Sequence, residues 1–275
     1  MVRPFLISLL ILCSTWLFEG CDLFEYNVYE THRNEHPVEA TNLYNIQRLQ
    51  KLPYKDTLFV VFTGDPQRHY NELEELVEAI NDLPKVDAVF VAGDLVEYAF
   101  SREFEWVSGQ LCRLRSPFLT VIGNHDCGAN GLGIYQQIYG PLNYSFTWNK
   151  VRFVMTNTNS REFNFNGLVP DIPWMDQSLA DVHNYDFTLF MCHVPPYHED
   201  FDASLEGPYS QTVRNAKNTI MMVNGHQHSA ELSQPYNDGI WYLNTSSPNK
   251  GVFAYVKIYT SPDAKQRFDY TLIPF

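Results

Sequence analysis

Runs of apolar residues broken by polar clusters organise this chain. Leu58 to Phe62 is a continuous apolar run of strand length, the pattern of a strand covered on both faces. It ends in Thr63-Gly64-Asp65-Pro66-Gln67. Leu73, Leu76, Ala79 and Ile80 then fall on one side of an amphipathic helix predicted over Tyr70–Leu83. A second apolar run, Val86–Ala92, ends in Gly93-Asp94 and precedes a helix from about Arg102 to Leu114. A third, Phe118–Ile122, ends in Gly123-Asn124-His125-Asp126. Strand, polar cluster and helix thus repeat in the rhythm of a parallel sheet wrapped by helices.

The pattern predicts a further helix before this series, over Asn42–Leu52 and closed by Pro53, and a more β-like region after it. Tyr144–Trp148 and Val151–Asn157 read as a hairpin joined around Asn149-Lys150, followed by a helix near Met175–Val182. Phe187–Met191 is a strand ending in Cys192-His193, and Ile220–Val223 one ending in Asn224-Gly225-His226-Gln227-His228. Strands at Ile240–Leu243, Val252–Tyr259 and Arg267–Leu272 complete the chain. With no internal repeat or linker past residue 41, one domain of two packed sheets over 41–275 is the simplest organisation.

The amino terminus stands apart. Arg3 is followed by fourteen almost unbroken apolar residues, Phe5–Phe18. That is too short for a bilayer span, which needs about 20, but suits a secretory signal. Gly20-Cys21-Asp22 follows and resembles a bacterial lipoprotein signal, in which the cysteine is lipidated and becomes the new terminus. Residues 1–20 are therefore expected to be a signal peptide, Cys21 the lipidation site and 21–40 a tether. An ordinary cleaved signal is the alternative. Both predict export, and the first predicts a membrane-anchored lipoprotein facing the periplasm or cell exterior.

Composition narrows the function. With 45% hydrophobic residues the chain can bury a large core, so most of it is not disordered. A net charge of −13 opposes a protein that follows a nucleic-acid backbone, so no nucleic-acid partner is expected. Past Cys21 only Cys112, Cys127 and Cys192 remain, which permits one internal disulfide at most. Cys127 and Cys192 flank candidate site residues; they are either that pair or small apolar fillers.

Candidate chemistry sits at the strand ends, where open α/β sheets gather functional residues. Asp65, Asp94, Asn124, His193, His226 and His228 each follow a predicted strand. The first three are 29 and 30 residues apart, one βαβ unit each. A lone Gly-Asp after a strand is usually a turn, and a lone strand-end histidine is usually structural. Five such clusters in order, holding four of the nine histidines, are poorly explained by chance.

The succession Asp-x-Gln, Gly-Asp, Gly-Asn-His-Asp, His and Gly-His-x-His resembles the calcineurin-like metallophosphoesterase family over roughly residues 57–260. The resemblance implies a four-layer α/β/β/α sandwich of two packed mixed sheets with flanking helices. It also implies two divalent metal ions, Mn, Fe or Zn by the mixed carboxylate, amide and imidazole donors. Asp65, Gln67 and His228 would hold the first ion, Asp94 would bridge, and Asn124, His193 and His226 would hold the second. The implied reaction is hydrolysis of a phosphate mono- or diester on a small phosphorylated substrate. A hydroxide shared by ions about 3.5–4 Å apart attacks phosphorus, and His125 protonates the leaving group with Asp126 behind it. Gln67 departs from the usual Asp-x-His of the first motif, and an amide oxygen is a weaker ligand than imidazole.

Purple acid phosphatases carry a tyrosine ligand three residues after the second aspartate, where this chain has Glu97. The extracellular nucleotidases carry a second domain for which it has no room, and the lipid A precursor hydrolases an arginine in place of His125. Asn157, Asn159, Tyr197 and His198 fall on segments that can line the cleft. The alternative function is a metal-dependent binder of a phosphorylated ligand without turnover, which has no need of a proton donor such as His125.

Overall fold

Apolar runs that looked buried on both faces are so because two sheets pack against each other and each carries helices outside. The computed structural model describes residues 40–275. The expected signal 1–20, Cys21 and all of the tether except Ala40 lie outside the described residues. After helix α1 (Thr41–Gln50) come β1 (Thr57–Thr63), α2 (Tyr70–Asp82), β2 (Ala88–Val91), α3 (Ser101–Leu111), β3 (Phe118–Thr120) and α4 (Gly131–Ile138). The second half holds β4 (Tyr144–Trp148), β5 (Val151–Met155), α5 (Ile172–Ser178), β6 (Phe187–Met191), α6 (Ala203–Asn215) and β7 (Thr219–Asn224). It ends with β8 (Glu231–Ser233), β9 (Tyr242–Asn244), β10 (Val252–Tyr259) and β11 (Phe268–Pro274).

The first sheet runs β11-β10-β1-β2-β3, with β1, β2 and β3 parallel and β10 and β11 antiparallel. The second runs β4-β5-β6-β7-β9-β8, parallel from β5 through β9 and antiparallel at both edges. Leu58, Val60, Phe62 and Phe90 of one sheet meet Phe146, Phe153, Leu189 and Met221 of the other in the central core. Phe90 stacks on Phe153 at 5.4 Å between ring centroids. Val61, Val89 and Val91 face the other way, against Leu76, Val77, Phe104 and Val107 of α2 and α3. On the opposite side Phe190 and Met222 are covered by Met175 of α5 and by Tyr209 and Val213 of α6. The four layers are α/β/β/α, as expected.

Several elements differ from the sequence pattern. The 13-residue helix α6 was not predicted, because Gly207-Pro208 reads as a break. Asp202 starts it by accepting from Ser204 N–H at 2.9 Å, and burial of Tyr209 and Val213 outweighs the proline inside it. Helix α4 and edge strand β8 were also unforeseen. Helix α5 begins earlier than its apolar residues suggested, where Asp171 accepts from Trp174 N–H at 3.0 Å. Cys112, Cys127 and Cys192 are free thiols. Cys127 packs with the helix layer of the first sheet and Cys192 with that of the second, so the candidate disulfide between them is not formed.

Candidate metal centre

Parallel strands β1, β2 and β3 of one sheet, and β6 and β7 of the other, deliver their carboxyl ends to a common edge. Asp65, Asp94, His226 and His228 turn off these strands at φ 52, 51, 76 and 59°. Left-handed backbone costs a non-glycine residue about 1–3 kcal/mol and persists where its surroundings over-determine it. The turns are cross-tied, Asp65 N–H donating to Gly93 O at 2.9 Å and Gly225 N–H to His193 O at 3.1 Å. Glycine is required by close approach at two of them. A Cβ on Gly123 would lie 2.0 Å from Asp94 N, and one on Gly225 2.5 Å from Ala92 O.

The candidate ligands converge in two groups that share Asp94. Ligand atoms of Asp65, Asp94 and His228 lie within 4.8 Å of one another, and so do those of Asp94, His193 and His226. In the first, His228 Nε2 is 3.4 Å from Asp65 Oδ1, which also accepts His226 N–H at 3.0 Å. In the second, Asn124 Oδ1 is 2.9 Å from His193 Nε2 and 3.0 Å from His226 Nδ1. His193 Nε2 is also 3.2 Å from Asp94 Oδ2, and its Nδ1 faces Ala92 O at 2.6 Å. Gln67 Nε2 donates to Asp94 Oδ2 at 3.1 Å.

Orphaned atoms test whether cations fit. Asp65 Oδ2 and Gln67 Oε1 are buried acceptors with no hydrogen-bond partner. Such groups are rare in native interiors and mark places where something else binds. Burial, with the Asp94 charge adding to it, lifts Asp65 to about 8. Burial opposes a charge on His193, yet neighbouring Asp94 holds its pKa up at about 10. For Asp94, burial is outweighed by the His193 charge and hydrogen bond, and its pKa falls below the ordinary value. Burial and then the His193 charge drop His226 to about 4. Oxygen and imidazole donors around two buried carboxylates fit two divalent ions.

In the metal-free chain, folded Asp65 keeps to about pH 8 a proton that the unfolded chain loses near 3.8. Folded His193 keeps to about pH 10 one that the unfolded chain loses near 6.5. Between about pH 6.5 and 8 both are held by the folded chain alone. Stability therefore falls as pH rises through that window, and His193 alone continues the decline towards pH 10. His226 acts oppositely, but only between about 4 and 6.5. Because ligands bind deprotonated, loading the site at pH 7 is expected to release about two protons per chain. Calorimetric Mn²⁺ titration in two buffers of different ionisation enthalpy measures this, and release near zero would contradict the assignment.

His125 is half-exposed beside the ligands, and its backbone N–H donates to Asp94 Oδ1 at 2.9 Å. Its ring is not backed by Asp126, which corrects the expected pairing. Asp126 is fully buried and accepts from Val96 N–H at 3.0 Å and Gly123 N–H at 2.8 Å. Burial pushes its pKa well above the usual carboxylate range, with the Asp94 charge adding to the effect. Asp126 thus ties the second strand-end loop to the third. Glu97, unforeseen as a functional residue, takes the place behind the ring. His125 Nδ1 is 3.1 Å from the Glu97 carbonyl oxygen and 3.5 Å from Oε2, and Glu97 also pairs with Arg68.

The remaining candidates separate. Asn159 Nδ2 donates to Ile122 O at 3.1 Å and to Asn157 Oδ1 at 2.9 Å, so both buried asparagines brace the loops beneath the site. Tyr197 packs against Tyr236 and Tyr242 in the outer layer. His198 does reach the site, its ring lying edge-on to His226 at 4.4 Å. Asp200, also unforeseen, has Oδ2 3.1 Å from His226 Nε2.

A sandwich of this topology, with two donor groups sharing one aspartate at the strand ends, defines a metallophosphoesterase scaffold. Residues 59–230 match the model of the calcineurin-like phosphoesterases, and the chain belongs to that family. Among solved structures it is similar to a dimetal phosphatase from Danio rerio, with TM-score 0.57 and 14% identity over 79% of this chain and 99% of that one. It is also similar to GAP50, the anchor in the inner membrane complex of Plasmodium, with TM-score 0.54 and 13% identity over 80% and 85%. The purple acid phosphatase PPD1 from yellow lupin seeds has TM-score 0.54 and 12% identity over 79% of this chain and 54% of that one. At these identities the likeness is one of fold. No curated protein matches the sequence.

Proposed function

We propose that this chain hydrolyses phosphate mono- or diesters at a two-metal centre. The observation that carries the reading is that two groups of converging ligand atoms share the buried Asp94. Asp65, Gln67, Asp94 and His228 would hold one ion, and Asp94, Asn124, His193 and His226 the other. Bound there, the ions would supply Lewis acidity, neutralising phosphoryl oxygens and lowering the pKa of water.

The chain's own residues do the rest. The strained strand ends and their hydrogen bonds hold the ligands at fixed positions, so little reorganisation is needed as charge develops. As water oxygen adds to phosphorus and the bond to the leaving oxygen breaks, that oxygen needs a proton. His125 gives it from Nε2, while Nδ1–H donates to the Glu97 carbonyl and the Glu97 carboxylate stabilises the charged ring. His125 regains its proton from solvent, to which it is open.

The test is hydrolysis of p-nitrophenyl phosphate and bis-p-nitrophenyl phosphate by metal-stripped protein, with Mn²⁺, Zn²⁺ or Mg²⁺ added back. Metal-dependent turnover is expected, and the preferred ester separates mono- from diesterase. Two bound ions without turnover on any ester would instead favour a binding role. The same fold serves in GAP50, described as an anchor.

A further inference from the structure

The His226 imidazole is gripped on the side away from the ligands as firmly as on the side that faces them. Nδ1 looks towards Asn124 Oδ1 at 3.0 Å and His193 Nε2 at 3.3 Å. Nε2 looks the opposite way, to Asp200 Oδ2 at 3.1 Å. Asp200 is itself buried and held from three directions. Its carboxylate pairs with the Arg161 guanidinium, its carbonyl accepts Arg161 N–H at 3.3 Å, and its own N–H donates to His198 Nδ1 at 3.2 Å. The His198 ring packs edge-on against His226 at an interplanar angle of 87°.

An imidazole that ligates through Nδ1 must carry its proton on Nε2. A carboxylate accepting that proton fixes the tautomer, orients the ring and strengthens the donor nitrogen. We propose that Asp200 is a positioning residue for the second metal, acting through the His226 Nε2–H and itself held by Arg161. The inference rests on the two-metal reading above. Asp200, His198 and His226 also bring ligand atoms within 4.8 Å of one another, the geometry of a third cation site. The Arg161 guanidinium already pairs with Asp200, however, so a cation there would be placed beside a positive charge. His226 also has no lone pair on Nε2 while its Nδ1 ligates.

The experiment is Mn²⁺ titration of the metal-stripped full chain, as wild type, Asp200→Asn and Asp200→Ala, with stoichiometry and electron paramagnetic resonance as readouts. Wild type is expected to take two ions that are spin-coupled. In both variants the second ion should bind about 10- to 100-fold more weakly and the coupled signal should give way to that of a single ion. Unchanged affinity for the first ion shows that the variants are folded. Histidine ring ¹⁵N spectra of the metal-free protein should show His226 protonated on Nε2, and Asp200→Ala should shift that signal. Two ions bound alike by wild type and both variants would overturn the inference, as would a third wild-type ion lost with Asp200. A wild type that binds no ion would sink the two-metal reading, and this inference with it.

Discussion

Replacing Asp94 by asparagine should lower kcat/KM for every phosphate ester by about 10³-fold, a loss of about 4 kcal/mol in transition-state stabilisation. Asp94 is common to both ligand groups, so one change weakens both positions at once. Asparagine matches its shape but offers one oxygen and no charge, which cannot serve two cations together. The neighbours make the swap worse. Oδ1 accepts His125 N–H, and Oδ2 accepts from Gln67 Nε2 and lies 3.2 Å from His193 Nε2. Whichever way the new amide turns, its NH₂ meets a donor. Metal content measured alongside the kinetics should fall in step with activity, and a thermal melt without metal reports any loss of folding. Wild-type kcat/KM in this variant would remove Asp94 from the centre.

Where the sequence was readable, the reason was geometry that repeats locally. Apolar runs of strand length followed by helical periodicity are visible without tertiary knowledge, and the parallel strands β1, β2 and β3 follow from them. Their ends are then brought together by the sheet, which is why Asp65, Asp94 and Asn124 could be grouped from spacing alone. Side chains that act from loops had no such marker. Glu97 and Asp200 are single acids outside the predicted strands and helices, and only the folded loops bring them behind His125 and His226. Asp126 departs from the expected pairing for the complementary reason. Adjacency to His125 suggested a pair, but residues 125–127 form a 3₁₀ turn, and consecutive residues on a turn point different ways. Helix α6 was hidden by local chemistry, since Gly207-Pro208 outweighs in the sequence what Tyr209 and Val213 supply only once packed.

His125→Ala should have an effect that depends on the leaving group. For an alkyl phosphate ester, whose alkoxide cannot depart unprotonated, kcat is expected to fall by about 10²–10⁴-fold. For p-nitrophenyl phosphate the loss should be far smaller, because p-nitrophenolate is a stable anion and needs no proton. Metal stoichiometry should be unchanged, since the His125 contact with Asp94 is made by its backbone N–H, which alanine keeps. Glu97→Gln should reproduce the same selectivity with a smaller loss. The main-chain carbonyl 3.1 Å from Nδ1 remains, while the carboxylate that stabilises the charged ring is gone. Equal losses on both classes of ester in His125→Ala would mean that the ring acts on the phosphoryl group rather than the leaving oxygen. An equal loss on both classes of ester in Glu97→Gln would separate Glu97 from His125 in function.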